Sequence, residues 1–101
     1  MHKLVVLYPH PDDPQAFAEY YEGTHLPLAA RLPGMLAWRY TLDVHAKDGD
    51  SPYFAIFEAD FAYAAALGAA MSSPEGRAVE ADVPNYAPAG TIVLDYEVSG
   101  G

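Results

Sequence analysis

Residues 13–34 read D-P-Q-A-F-A-E-Y-Y-E-G-T-H-L-P-L-A-A-R-L-P-G, and this stretch decides the fold. Asp13 stands where an N-cap is needed, and Pro14 follows at the first helical position, where its missing N–H is no loss. Asp12 and Gln15 have the spacing of a capping box, a second mark of a helix start. From Pro14 onward, Phe17, Tyr20, Tyr21, Thr24 and Leu28 recur at helical spacing and form an apolar stripe fit to lie on a sheet. Gly23 weakens the helix, and Pro27 removes a backbone donor and disfavours helical geometry at Leu26. The spacing predicts a helix to about Gly23, a kink holding Thr24-His25-Leu26, and a further turn through Pro27 to Leu32, ended by Pro33-Gly34.

On the N-terminal side, Lys3 to Tyr8 is a short apolar run closed by Pro9, the pattern of a strand, and Pro9 to Pro14 is a turn. On the other side, Met35 to Leu42 predicts a strand with Leu36, Trp38, Tyr40 and Leu42 on one face and Met35, Ala37, Arg39 and Thr41 on the other. Asp43 to Pro52 is a polar loop. Tyr53 to Ala59 is a strand, apolar on both faces apart from Glu58, and pairs antiparallel with the one before it. Asp60 stands where it can cap a second helix through Tyr63, Leu67 and Met71, whose alanine-rich body favours helix and close approach to a sheet. Ser73-Pro74 starts another helical turn to Val79 or beyond, with Ser72 and Glu75 at capping-box spacing; Val83-Pro84 stops it. Gly90 precedes a last strand, Thr91 to Val98, and Gly100-Gly101 is a loose tail.

The order βαββαβ is that of a ferredoxin-like α+β fold, in which a four-stranded antiparallel sheet carries its helices on one face. These strands are apolar or aromatic on both faces. The uncovered face therefore calls for a second copy, giving a dimer with a cavity between sheets and helices.

The bulk numbers agree with one domain spanning 1–101, since 101 residues leave no room for a second. Half the chain is hydrophobic (51%) and only 19% is charged, which predicts a packed core rather than disorder. Eight tyrosines bring large rings whose hydroxyls need partners, as at an interface or a pocket. Fourteen acids against five bases give a net charge of −9, a field that repels phosphate backbones and anionic lipid; no nucleic acid and no membrane is expected as a partner. With no cysteine, there is no disulfide, thiolate nucleophile, iron–sulfur cluster or Cys-ligated zinc. Met1 to Pro9 is too short for a secretory apolar segment, and no run approaches the roughly eighteen apolar residues of a membrane span, so the cytoplasm is the expected compartment.

Three motifs together resemble the EthD family of dimeric α/β-barrel proteins. They are Phe17-x-x-Tyr20-Tyr21-x-x-x-His25-x-Pro27-Leu28-Ala29, then Leu32-Pro33-Gly34 leading into an aromatic strand, then Ser73-Pro74-Glu75 followed by Ala81-Asp82-Val83-Pro84-Asn85-Tyr86. The resemblance runs nearly end to end and implies a homodimer with a pocket in each protomer between helices and sheet. The family is named for an accessory role in ethyl tert-butyl ether degradation. Its wider superfamily includes muconolactone and methylmuconolactone isomerases, cofactor-independent monooxygenases and haem enzymes. Fold does not choose among these.

His25 is the first candidate for chemistry, because Gly23 and Pro27 disrupt the helix around it and a neutral imidazole can move a proton near neutral pH. The family motif has His at this position. The structural alternative is that His25 caps a carbonyl freed by the broken helix. Trp38 and Tyr40 share a strand face. If that face lines the cavity, Tyr40 donates to a substrate oxygen and Trp38 packs an aromatic ring; otherwise both are plain core. In the methyl-isomerase relatives a His and a strand Tyr are catalytic, so the resemblance implies His25 with Tyr40 as a similar pair. Tyr20 and Tyr21 are adjacent and must point different ways, one onto the sheet and one to a pocket mouth or dimer seam, and Tyr21 is the substrate-binding candidate. Asp82 either orients His25 or bonds loop amides, or serves as a helix cap or turn contact, the commoner use, and Tyr86 with Asn85 either closes the pocket or simply packs. Glu58 is either a pocket acid or an ion-pair partner of Arg39 or Lys3.

His10, Asp12 and Asp13 match no recognised metal-ligand spacing, and His2 and His45 read as solvated. No Gly-rich phosphate loop and no G-x-S-x-G occurs. No cofactor is expected: haem would have His25 as its one good axial ligand and few bases for its propionates. The expectation is a cofactor-independent isomerase or monooxygenase acting on a small apolar oxygenated molecule. The alternative is a non-catalytic accessory or metabolite-binding homodimer.

Overall fold

The N-terminal strand is the spine of the sheet, and its composition explains why: Leu4, Val5, Val6 and Leu7 leave neither face polar enough for an edge. The computed structural model describes residues 1–100. In it β1 (His2–Pro9) pairs antiparallel with a neighbour on each side. Chain order continues with helix α1 (Pro14–Tyr20), a π-helical turn (Tyr21–His25), α2 (Leu26–Ala29), β2 (Ala37–Thr41), the short strands β3 (His45–Ala46) and β4 (Gly49–Asp50), β5 (Tyr53–Phe61), α3 (Ala64–Ser72), α4 (Pro74–Asp82), a 3-10 turn (Val83–Asn85) and β6 (Ile92–Glu97). The main sheet has the order β2-β5-β1-β6 with every pairing antiparallel. This is the ferredoxin-like α+β arrangement that the element order predicts.

Register decides which side chains face the helices. Leu4 lies opposite Ala59, Val6 opposite Phe57 and Tyr8 opposite Ala55. All these except the half-buried Val6 are buried among Phe17, Tyr21, Leu26, Ala29, Leu32, Phe61, Leu67, Ala70 and Val79. The other face carries Val5, Leu7 and Ile56, continued by Ile92, Leu94 and Tyr96 of β6, which are 38%, 50% and 48% exposed. Beside this apolar strip lies a closed charge network. Lys3 Nζ is 3.0 Å from Glu58 Oε1, and Arg39 reaches Asp60 Oδ2 at 2.7 Å and Glu58 Oε1 at 3.4 Å. The hydrogen bond from Arg39 leads in holding the Asp60 carboxyl below its ordinary range.

The local signals hold in part. Asp13 caps α1, accepting from Ala16 N at 3.1 Å, but Gln15 bonds Glu19 instead of completing a capping box with Asp12. Asp60 caps no helix. β5 runs on through Phe61, so Asp60 lies in a strand opposite Lys3 and Ala37, where its charge meets Arg39. The cap of α4 is Ser73, whose Oγ accepts from Gly76 N at 3.1 Å, not Ser72. The polar loop after β2 folds into the β3–β4 hairpin, a pairing its sequence did not announce. His45 is exposed beside Asp43, whereas His2 is half-buried, with Nε2 2.6 Å from Asp95 Oδ2 across the sheet. Of the tail expected to be loose, Gly101 lies outside the described residues. Among the described residues no helix is long and apolar enough to cross a membrane.

The α3–α4 corner is tight because Ser73 sends its backbone N–H and its hydroxyl to the same carbonyl, that of Ala70. A Cβ at Gly76 would land on that carbonyl and on the Met71 backbone. Neither can yield without unwinding the end of α3. Gly76→Ala is therefore expected to destabilise the protein by about 1–3 kcal/mol, the usual cost of overpacking, read as a lower urea midpoint with unchanged slope. An unchanged midpoint would contradict this packing.

Candidate functional site

Pro27 shapes the site from two residues away. It has no N–H to give, and its ring crowds the carbonyl four residues back, so the helix cannot run regularly into it. The chain answers with a wider turn, and Leu26 N–H bonds to Tyr21 O in the five-residue spacing of a π turn. In a straight α-helix each four-residue step drifts by about 40°. The wider turn cancels that drift and keeps Phe17, Tyr21, His25 and Ala29 on one buried face. Thr24, expected on the apolar stripe, is exposed instead, because the π turn moves the inward position one residue along to His25.

His25 is 4% exposed and Asp82 is 8% exposed, and they meet. Nδ1 of His25 lies 3.0 Å from Asp82 Oδ2. The other carboxylate oxygen accepts from the Tyr20 hydroxyl at 2.5 Å and from Asn85 Nδ2 at 3.1 Å. Burial raises the Asp82 pKa, but these three donors together hold it below the ordinary carboxyl value. An ionised carboxylate only accepts, so Nδ1 of His25 carries the proton. Burial is the main influence on His25 and lowers its pKa, with Asp82 pulling the other way. The ring is thus neutral at pH 7, with its lone pair on Nε2. That nitrogen has no hydrogen-bond partner among the described residues. His25 does not cap a freed carbonyl: its ring bonds a carboxylate.

His25 forms part of the wall of a cleft of about 610 Å³ between sheet and helices. Leu4, Val6 and Tyr8 of β1, Phe57, Leu67, Met71 and Val79 line it, together with Thr91 just before β6 and Val93 and Asp95 within it. Gly68 of α3 also faces it, and a Cβ built there meets nothing within 4 Å.

The expected site residues divide around this cleft. Tyr86 lies behind the imidazole with ring centroids 4.4 Å apart, and its hydroxyl is 2.6 Å from that of Tyr8. It separates His25 from a second, more open groove of about 680 Å³ lined by His10, Asp13, Tyr20 and Asn85. Tyr21 is fully buried, stacked on His25 at 5.8 Å, and its hydroxyl has no partner among the described residues. Burial pushes the phenols of both Tyr21 and Tyr86 far up, so both stay protonated. Tyr40 and Trp38 do face the helices, opposite Phe57 and Ala59, but β2 is the sheet edge and each is 38% exposed. Tyr40 gives its hydroxyl to Glu22, and the Tyr21 ring stands between it and His25. Neither Tyr40 nor Trp38 lines the cleft, so the expected His25–Tyr40 pair is not assembled there. Glu58 sits on the opposite face of the sheet, taken up by Lys3 and Arg39, so it is an ion-pair partner rather than a pocket acid. Tyr8, Glu80 and Asp95 line the cleft without having been singled out in the sequence. The alternation of Leu4, Val6 and Tyr8 along β1 held the signal for Tyr8, once its inward face was known.

His10 Nε2 is 2.7 Å from the Ser51 carbonyl and Asp13 caps α1, and no cluster of three or more His, Cys, Asp or Glu side chains that could hold a metal ion occurs among the described residues.

Fold and site together define a ferredoxin-like α+β domain whose helical layer carries a buried His–Asp pair at an apolar cleft. The EthD domain model matches residues 10–89, and the chain belongs to that family. An uncharacterised 11.0 kDa protein from the thcB–thcC intergenic region of Rhodococcus erythropolis is 35% identical over 95 residues, which cover 93% of this chain and 91% of that one. A crystal structure of an ethyl tert-butyl ether degradation (EthD) family protein from Bacillus halodurans superposes with a TM-score of 0.92 at 32% identity, covering 98% of this chain and 99% of that one. A hydroxynitrile lyase from Passiflora edulis shares the fold at a TM-score of 0.77, with 16% identity over 99% of this chain and 94% of that one. Ferredoxin-like proteins from Jannaschia and Thermobifida fusca, also alike in fold alone, are described as dimeric.

The His–Asp geometry has a signed consequence. Followed by ring-proton NMR, His25 should titrate below the roughly 6.5 of an unperturbed imidazole. Asp82→Asn should lower it further, because the carboxylate is what favours the cation. The folded pKa lies below the unfolded one, so His25 contributes stability that is complete above about pH 6.5 and lost as pH falls through the folded value. A rise in the His25 pKa on Asp82→Asn would refute the pairing.

Proposed function

We propose that this EthD-family protein is a homodimer that binds a small, largely apolar, oxygenated molecule in the His25 cleft and moves a proton on it without a cofactor. The observation that carries the reading is the neutral imidazole, held by Asp82 through Nδ1, with an unpartnered Nε2 at an apolar cleft. Such a base takes a proton from a carbon or oxygen next to a carbonyl and returns it to another atom of the same molecule, which is an isomerisation. With dioxygen as oxidant, the same abstraction from a quinol opens a cofactor-free monooxygenation. The exposed apolar strip of Ile92, Leu94 and Tyr96 supports a second copy on the open sheet face, as do the dimeric relatives in fold.

Gly68 supports the binding part. A glycine inside a helix costs about 1 kcal/mol relative to alanine, and no protein atom crowds this one. Its missing side chain leaves room in the cleft.

One observation favours the accessory reading. Tyr40 is bonded to Glu22 outside the cleft, so the second group of the expected pair does not stand beside His25 there. A protein that holds a metabolite for another enzyme needs no second group.

A panel of lactones, enones and quinols separates the two. His25→Ala should lower turnover of whichever member reacts by about 10²–10⁴-fold, the usual worth of a general base. The variant should still elute at twice the 10.9 kDa chain mass. Equal turnover by wild type and His25→Ala would remove the catalytic claim. Gly68→Leu should close the cleft and abolish binding while leaving α3 intact or firmer, as a far-ultraviolet thermal melt would report.

A further inference from the structure

The cleft's ligand has a definable charge and polarity, an inference that rests on His25 and its cleft being the binding site. All five cationic side chains of the chain lie elsewhere. Lys3 and Arg39 are locked with Glu58 and Asp60 on the open sheet face. Arg31 and Arg77 are exposed outside the cleft, and Lys47 is in the β3–β4 turn. The charged groups that do line it are acidic: Glu80 of α4 and Asp95 of β6, the latter bonded to His2. Behind them stands a net charge of −9.

An anionic ligand entering this cleft would lose its hydration against Leu4, Val6, Leu67 and Val79, meet no fixed cation, and pass two carboxylates on the way. An uncharged molecule meets none of these penalties. His25 lines the cleft with its Nδ1 taken up by Asp82, and with the proton on Nδ1 the free Nε2 is an acceptor. The complementary ligand group is a donor, an O–H.

We propose that the cleft selects uncharged, hydroxyl-bearing ring compounds of the phenol, quinol or enol type and rejects their carboxylate counterparts. The hydroxyl bonds to Nε2 and the ring lies on the apolar walls. In a proton-transfer cycle that hydroxyl proton is the one His25 removes.

The chain supplies a local reporter. It has three methionines, and Met71 alone among them lines the cleft, whereas Met1 and Met35 lie outside it. With ¹³C-methyl methionine in the intact protein, 2-naphthol, 2-methoxynaphthalene and 2-naphthoate are titrated in turn. The expected result is a saturable shift at Met71, with 2-naphthol binding about tenfold or more tightly than 2-naphthoate and several-fold more tightly than the methyl ether, the scale set by one charge-assisted or neutral hydrogen bond. His25→Ala should erase the preference for naphthol over its ether while keeping the discrimination against the carboxylate. Glu80→Lys should narrow that discrimination. Naphthoate binding as tightly as naphthol overturns the charge rule, and the ether binding as tightly overturns the donor rule. Absence of any Met71 shift with all three probes overturns the proposal and the binding site together. Failure of His25→Ala to change turnover, with these preferences intact, removes only the catalytic reading.

Discussion

The carboxylate of Asp82 is the constraint on which the helical layer depends. A buried charge is costly unless every oxygen is satisfied, with an effective penalty of several kcal/mol. Here the satisfaction comes from three separate segments: Tyr20 at the end of α1, His25 in the π turn and Asn85 in the 3-10 turn after α4. These donors tie together the two helical arms that cross the sheet. The same bonds fix the tautomer of the imidazole. Structure and chemistry are thus inseparable at this point, because any shift of α1 against α4 would strand the charge and release the histidine together.

Around that polar centre the packing is aromatic. Tyr8, Phe17, Tyr21 and Tyr86 lie with ring centroids 5.3 to 5.7 Å apart. Rings of this kind bring area with few rotatable bonds, so they hold the back of the imidazole rigidly. Their hydroxyls are less well served. Tyr8 and Tyr86 have each other, while Tyr21 has no partner among the described residues, a cost accepted beside the site rather than in the outer core.

Much of the fold was legible because it rests on local chemistry. The apolar run of β1, the Asp13-Pro14 start and the Pro33-Gly34 stop need only neighbours in sequence to be read. The parity of Trp38 and Tyr40 was also readable, but not the fact that β2 is an edge. That depends on strand order, and it moved both rings out of the cleft. Asp60 misled for the same reason. As a lone residue before an alanine-rich run it is a good cap, but in the fold it pairs within the sheet, where Arg39 and Lys3 of the adjacent strands meet its charge. His25 and Asp82, 57 positions apart, were candidates in the sequence, yet their contact belongs to the tertiary structure. The inward turn of His25 in place of Thr24 required a π turn, and no periodicity based on 3.6 residues can announce one.

The π turn also means that the site is written in a count of residues as much as in their identities. Five residues occupy the wide turn, and Gly23 among them is exposed, with open space where a side chain would stand. A chain lacking that one position would still make a serviceable helix over the same sheet, with the aromatic layer largely kept. It would present a different side chain at the place His25 now holds, and Asp82 would face no imidazole. Length variation here is therefore a route by which a relative can keep the whole architecture and lose, or exchange, its chemistry. In comparing members of this fold, the spacing between the tyrosine pair and the proline is as informative as the histidine itself.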